Sequence, residues 1–312
     1  MKLSCIVPLY NCLPLTQAML QSLRATLPPG LDHEVIFVDD GSSDGTRDWL
    51  ATLSDDPAIR VVLNDTNLGY AAANNRGASL ATGDVLALLN NDLLFRPRWL
   101  EPMLAVLRRL GNRAGLVGNI QRRVADGSLD HAGIFINLKG KPEHLRERPP
   151  LSWLRGRSSA RRVAAVTGAC VLVRRDLFKE LGGFSTAYIN GGEDIDFAFR
   201  AAQAGHVNVV ALRSVVDHHV SPSPTRKLRD EENSYRLTLA WRDTLAHHAS
   251  RRWCRDFLRR EWTSPREPAD TFVAAGLLAY ALHLRRSIPA AALDGMRANL
   301  DVELARWRGM FA

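Results

Sequence analysis

The chain has 312 residues, 46% of them hydrophobic and 24% charged, a composition ordinary for a soluble globular protein that excludes a disordered one. The length suits one large α/β domain, or one domain with an appendage. The formal net charge of +8 fits anionic partners, namely nucleic acid, nucleotide phosphates or an acidic membrane surface.

The start, MKLSCIVPLYN, has a short apolar run broken by Pro8 and reads as a first strand rather than a signal peptide. Four short apolar runs, Leu3–Val7, Val35–Val38, Ile59–Leu63 and Val85–Leu89, read as buried strands. Between them Thr16–Arg24, Thr46–Leu53 and Tyr70–Leu80 read as helices. This alternation predicts a mostly parallel sheet flanked by helices. Each strand ends in a polar cluster: Pro8–Asn11, Asp39–Asp44, Asn64–Asn67 and Asn90–Asp92. Open sheets of this kind bind ligands beyond the carboxyl ends of their strands. From Lys139 to Arg162 the chain turns basic, Pro-containing and aperiodic, and reads as a loop that either closes over substrate or stays solvated. Order resumes at Val163–Val173. Beyond about Arg226 the pattern is helical and Arg-rich to the end, which divides the chain into a domain over 1–225 and a helical subdomain over 226–312. The longest apolar stretch, Phe272–Leu282, falls far short of the roughly 20 residues that cross a bilayer. Cys5, Cys12, Cys170 and Cys254 show no zinc spacing, so reduced thiols in a cytosolic protein are the simplest reading.

Five constellations carry chemistry. In VDDGSSDGT a strand ends in Asp39 and Asp40 and a helix starts near Ser43 or Asp44. A βα turn with a good N-cap explains the later residues but not the paired carboxylates, which suit hydrogen bonding to a base or ribose. In NLGYAAANNRG, Gly69 and three alanines either pack a small-residue helix on the sheet or leave a helix start open to phosphate. In LALLNNDLLF, Asn90, Asn91 and Asp92 interrupt an apolar run. They form a polar strand-end turn or a metal–diphosphate site, with Asp92 the anionic ligand for Mg²⁺ or Mn²⁺. In NGGEDIDFAFR, Glu193 and Asp194 open a helix, where a carboxylate is expected to stay ionised as a general base must. In VVDHHVS, His218 and His219 follow a short strand, as metal ligand or as ordinary polar edge.

Taken in order, IVPLYN, VDDGSSDGT, NLGYAAANNRG, ATGDVLALLNND, VTGACVLVRRDLFKELGGF and GGEDIDFAFRA, with a downstream His, resemble the family-two glycosyltransferases of GT-A fold over roughly residues 1–220. The rhamnosyltransferase-like and galactofuranosyltransferase-like branch, where NND often replaces repeated aspartates, is the nearest in look. The resemblance implies an inverting transfer of a sugar from a nucleoside-diphosphate donor to a hydroxyl of a glycan or lipid-linked glycan, in bacterial surface polysaccharide synthesis. It implies that Pro8, Tyr10, Asn11, Asp39 and Asp40 line the nucleoside pocket, and that Asn67, Gly69 and Asn75 border the diphosphate. Asn90, with Asn91 beside it, would face ribose or sugar, and Gly168 would lie near donor sugar and acceptor. Asp92 with His219, or its neighbour His218, would bind the cation, and Asp194, next to Glu193, would be the catalytic base. The setting implied is cytoplasmic, at the inner face of the membrane where the acceptor is lipid-linked.

The rivals fare worse. A nicotinamide enzyme needs GxGxxG after strand one, where this chain has PLYNCLPL. Nucleic-acid binding rests on charge alone. A non-catalytic sugar-nucleotide-binding scaffold is the alternative within the fold, and Glu193–Asp194 argues against it. For the Arg-rich helices, with Arg251, Arg252, Arg259 and Arg260, the options are a solvated face, contact with anionic lipid, or self-association into a homo-oligomer.

Overall fold

A computed structural model describes residues 1–147, 160–219, 226–263 and 271–311. The chain packs as two units, one of Met1–Ile134 with His144–Arg226, the other of Phe135–Glu143 with Lys227–Ala312.

The first unit is a twisted mixed sheet. Strands β1 (Leu3–Leu9), β2 (His33–Asp39), β3 (Ile59–Leu63) and β4 (Val85–Leu89) form a parallel block in the order β3-β2-β1-β4. Helices α1 (Leu13–Thr26), α2 (Thr46–Ala51) and α3 (Tyr70–Leu80) make its crossovers. All four expected strands are present, and Ile59–Leu63, Val85–Leu89 and Tyr70–Leu80 keep their expected bounds. The runs of β1, β2 and β4, short and buried on both faces, leave little choice but a central strand, while β3 forms the partly exposed edge.

Beyond β4 the sheet continues through further elements, of which the helix opened by Glu193, the strand before His218 and the order around Val163–Val173 were expected and the rest were not. These are β5 (Leu93–Phe95), α4 (Leu100–Leu110), β6 (Ala114–Arg123), β7 (Leu129–His131), β10 (Ala160–Arg162), β11 (Cys170–Arg174), α5 (Arg175–Glu180), α6 (Glu193–Gln203) and β12 (Val207–His218). Strand β11 runs antiparallel between β4 and β6, and β12 runs parallel to β6. The short strands β8 (Ile134–Ile136) and β9 (Pro142–His144) pair in a sheet of their own. The expected loop at 139–162 is therefore corrected at both ends. Asn137 closes a turn by accepting from Lys139 and Lys141, β9 follows, and β10 pairs antiparallel with β12. Residues 148–159, its middle, lie outside the described residues.

Two features of the parallel block shape the site. On one face Val7, Leu89, Met103 and Leu107 belong to a single core cluster. On the other, α3 lies so close to β1 that a Cβ at Gly77 would stand 2.5 Å from Ile6 Cγ2. Ala71 and Ala73 are buried there too, so the small residues of NLGYAAANNRG pack the helix on the sheet. The second feature is a split. Pairing of β1 with β4 stops at Ile6↔Leu88, whereas pairing with β2 runs on to Leu9↔Asp39. Pro8, which has no N–H to donate, sits where the β4 side is unpaired. Neighbours on opposite sides of one strand that part at its carboxyl end leave the crevice in which such sheets bind ligands.

The second unit holds a long helical stretch α7 (Arg226–Thr263), broken at Trp241 by φ −128°, then α8 (Thr271–Ala281) and α9 (Ala290–Phe311). Its arginines are largely spent internally. Arg251 stacks on the Tyr280 ring and donates to the Tyr280 carbonyl, and Arg252 stacks on Phe135. Arg259 and Arg260 stay exposed, each paired with Asp256. Among the described residues no helix is long and apolar enough to cross a membrane.

Candidate active site

The four strand-end clusters meet at the carboxyl edge of the parallel block and are laced to one another. Asn11 and Cys12 take left-handed backbone, φ 57° and 62°, which turns the chain after β1. The Asn11 side chain accepts from the Ser43 N–H at 2.8 Å, and its own N–H donates to Ser42 Oγ at 2.7 Å. Asn91 Nδ2 donates to Thr16 Oγ1 at 3.0 Å, tying the end of β4 to α1. Asn91 thus holds the frame, while Tyr10 stays 54% exposed.

Asp39 and Asp40 divide their work. Both oxygens of Asp40 are taken, by Asn64 Nδ2 at 2.6 Å and by the N–H groups of Leu68 at 2.9 Å and Gly69 at 2.8 Å. Asp40 therefore folds the loop before α3. Asp39 is fully buried, and Arg47 Nε donates to its Oδ2 at 2.7 Å. Its Oδ1 is buried with no hydrogen-bond partner. Such an acceptor is costly unless a donor arrives.

At α3, Gly69 adopts φ 89°, a conformation glycine takes without strain, and its N–H also reaches Asn67 Oδ1 at 3.1 Å. Asn190 Oδ1 accepts from the next N–H, that of Tyr70, at 3.2 Å. Asn75 is placed otherwise than at a diphosphate border. Its Nδ2 donates to the Phe184 carbonyl and its Oδ1 accepts from the Phe184 N–H, both at 2.8 Å.

One short segment joins the remaining parts. The Gly168 N–H donates to Asp194 Oδ2 at 2.8 Å, and the Tyr70 hydroxyl donates to the Gly168 carbonyl at 2.8 Å. One residue on, the Ala169 carbonyl accepts from the Asn90 N–H at 2.8 Å. The acidic helix start is thereby tied to the end of β4, where Asn90 Oδ1 is itself buried without a partner.

The carboxylates of α6 differ in orientation. Gly191 and Gly192 make the turn with φ 149° and 102°. Glu193 is 4% exposed and turns back, accepting from the Gly191 N–H at 2.8 Å. Asp194 reaches Gly168. Burial raises the pKa of both, and in Glu193 the neighbouring Asp194 raises it further. In Asp194 the N–H groups of Gly168 and Ile195 pull the other way without cancelling burial. At Asp194 desolvation thus outweighs the helix end and the backbone donors. For Glu193 the native pKa exceeds the unfolded one, so its share of stability is present at low pH and is lost as pH rises through the native value. Glu193→Gln removes that loss. The melting temperature of the variant is expected to gain on wild type between pH 5 and pH 9, by about 2–4 °C for each kcal/mol recovered. Parallel melting curves across that range would show that Glu193 carries no such penalty.

At the end of β4, Asp92 Oδ1 lies 3.2 Å from His218 Nε2, off hydrogen-bond alignment. Of the two candidate histidines, His218 brings its ring to Asp92. His219 offers only its backbone N–H, 3.0 Å from the Asp92 carbonyl, and is exposed. Strand alternation does not set this choice, because Asp92 lies in the turn before β5 and His219 lies beyond the end of β12. Burial by itself would lower the His218 pKa, but Asp130 and Asp92 outweigh it and lift it to about 9.

Comparison with known proteins places this edge in a family. The family model for glycosyl transferase family 2 matches residues 4–182, from β1 through α5. The chain belongs to glycosyl transferase family 2. The O-antigen biosynthesis protein RfbC of Myxococcus xanthus is 30% identical over 71% of this family 2 chain and 18% of its own length. The N-acetylglucosaminyl-diphospho-decaprenol L-rhamnosyltransferase of Mycobacterium tuberculosis is 29% identical over 70% of the chain and 78% of its own. The chain spans 24% and 18% of the lengths of the first curated relatives it matches. The crystal structure of GalNAc-T7 with UDP, GalNAc and Mn²⁺ covers 88% of the chain with a TM-score of 0.65 at 18% identity, a likeness of fold: GT-A.

The matched span stops short of Glu193, Asp194 and His218, which the fold itself brings to the edge. A divalent cation fits the residues found there. Asp92, with a buried unpartnered Oδ1, and the His218 ring 3.2 Å from it would be the residues to hold one. Among the described residues no three His, Cys, Asp or Glu side chains gather as a complete cage. Two protein ligands with diphosphate oxygens completing the shell is the usual economy of Mg²⁺ sites. Sequence reading passed over Arg47, Asn190, Tyr70 and Asp130, whose roles depend on partners distant in the chain.

Proposed function

We propose that this family 2 domain is an inverting glycosyltransferase that moves a sugar from a nucleoside-diphosphate donor to an acceptor hydroxyl. The observation that carries the reading is the link from Asp194 through Gly168 and Ala169 to Asn90, which sets a carboxylate and the Asp92–His218 pair at one strand edge. The nucleoside belongs in the crevice beyond β1 and β2, where the unpartnered Asp39 Oδ1 accepts an N–H of the base and Tyr10 offers an exposed ring. A cation held by Asp92 and His218 supplies neutralisation of the charge that gathers on the leaving diphosphate. Asp194 takes the proton from the acceptor hydroxyl as that oxygen attacks the anomeric carbon, and the bond to the diphosphate breaks on the opposite face. Asp194 is suited because burial keeps its pKa above the ordinary carboxylate range, which strengthens it as a base. One displacement inverts the anomeric centre, with the acceptor a glycan or lipid-linked glycan of a surface polysaccharide.

Thermal shift against a panel of nucleoside diphosphates and nucleotide sugars, with and without Mn²⁺ or Mg²⁺, tests this. A shift with one base that grows with metal is expected. No shift with any member, repeated by calorimetry, would remove the donor reading.

A further inference from the structure

Asp130 has no place in the site described so far, yet it lies beside it. It sits on β7, 2% exposed. Strand β7 pairs with β6 through Arg122↔Leu129 and Gln121↔His131, β6 with β12 through Arg123↔His218, and β12 with β5 through His218↔Leu93. Asp130 on β7 and Asp92 in the turn before β5 approach the ring of His218, the last residue of β12, from two sides. The His218 ring shows one nitrogen to each carboxylate, Nε2 at 3.2 Å from Asp92 Oδ1 and Nδ1 at 3.8 Å from Asp130 Oδ2, the latter beyond hydrogen-bond length, so that Nδ1 is buried without a partner and faces Asp130 as the nearest anion.

The two carboxylates are not equivalent. Asp130 is the more buried, and basic side chains surround it: Arg123 Nε at 3.4 Å, Arg146 at 3.7 Å and His144 Nδ1 at 3.9 Å. An imidazole that binds a cation keeps its proton on one nitrogen and offers the lone pair of the other, and a buried anion on one side decides which.

We propose that Asp130 is the positioning residue of the cation site, fixing the His218 ring with its proton on Nδ1 so that Nε2 faces the cation beside Asp92. The proposal rests on the reading of Asp92 and His218 as cation ligands. It adds a residue that touches neither cation nor nucleotide and acts through His218 alone.

The test is a Mn²⁺ titration followed by electron paramagnetic resonance, with UDP and separately GDP present. It uses wild type, Asp130→Asn, Asp130→Glu, His218→Ala and the Asp130→Asn/His218→Ala double variant. Asp130→Asn is expected to weaken Mn²⁺ by about 10–100-fold, with nucleotide affinity in the absence of metal held within about twofold. Asp130→Glu keeps the charge and is expected to lose less. In the His218→Ala background Asp130→Asn is expected to add nothing, since a residue that acts through His218 has nothing left to position. An equal loss in both backgrounds would make Asp130 a structural residue and overturn the proposal. So would wild-type Mn²⁺ affinity in Asp130→Asn, or in Asp130→Ser should the Asn variant fail to fold, when His218→Ala shows a severe loss. Absence of nucleotide-linked Mn²⁺ binding in wild type is a different failure, that of the cation reading itself.

Discussion

Asp194→Asn is expected to lower the transfer rate by about 10²–10⁴, the range a positioned base contributes, while nucleotide binding stays within about twofold. The substitution keeps the shape of the side chain and removes its basicity. Both Asp194 oxygens accept backbone N–H groups, from Gly168 and from Ile195, each at 2.8 Å. One of these donors will therefore meet the new NH₂, at a cost of about 1–3 kcal/mol for an unpaired buried group. Melting of the variant must accordingly be recorded with its kinetics, so that a lost fold is not counted as a lost base. The pH profile separates the two further. Burial places the Asp194 pKa above the ordinary carboxylate range, so activity of wild type should fall on the acid side at a higher pH than an exposed aspartate would give. The residual rate of Asp194→Asn should lack that limb. A variant that folds, turns over like wild type and keeps the limb would assign the base elsewhere. Glu193 is the less suitable substitute, because it is turned inward onto the Gly191 N–H.

The parallel half of the sheet was legible because its strands are short apolar runs closed by turn residues, a pattern with one structural solution. Strand β6 was not. Its buried face carries Asn119 and Gln121, so the run AGLVGNIQRR shows no alternation to read. Strand β10, with the sequence ARR, is a strand only because β12 offers it an edge. The site divides along the same line. Polar clusters at strand ends announced themselves by position, and Asp92 and the asparagines could be named from them, as Asp194 could from the helix start after Gly191 and Gly192. What each carboxylate does could not. Asp39 and Asp40 are adjacent in sequence, yet one folds a loop with all its acceptors and the other keeps a buried oxygen without a partner. Asn75 reads like a ligand-binding asparagine and instead pins Phe184, whose partner position is 109 residues away. The choice between His218 and His219 waited on the turn that carries Asp92, which brings its carboxylate to the His218 ring. Arg47 and Asp130 are defined by contacts that local pattern does not encode.

Asp92→Ala is expected to abolish the metal-dependent part of nucleotide binding, a loss on the order of 100-fold or more, because removing a ligand costs at least as much as removing its orienting partner. Binding measured in chelator should not change, since Asp39 and the loop around Gly69 do not depend on Asp92. Calorimetry of UDP and GDP with Mn²⁺, then with EDTA, reads both quantities on one protein. His218→Ala should repeat the loss and His219→Ala should leave it within about twofold, because only the His219 backbone approaches Asp92. Stability gives an independent sign. Without Asp92 the His218 ring keeps Asp130 as its one carboxylate partner, so the variant should still fold and its pKa should fall from about 9. Unchanged Mn²⁺ dependence in a folded Asp92→Ala would take Asp92 out of the site. A severe loss in His219→Ala with none in His218→Ala would mean that the end of β12 rearranges when the nucleotide binds. The two histidine variants therefore decide whether the register of this strand in the free protein is the one in which it works.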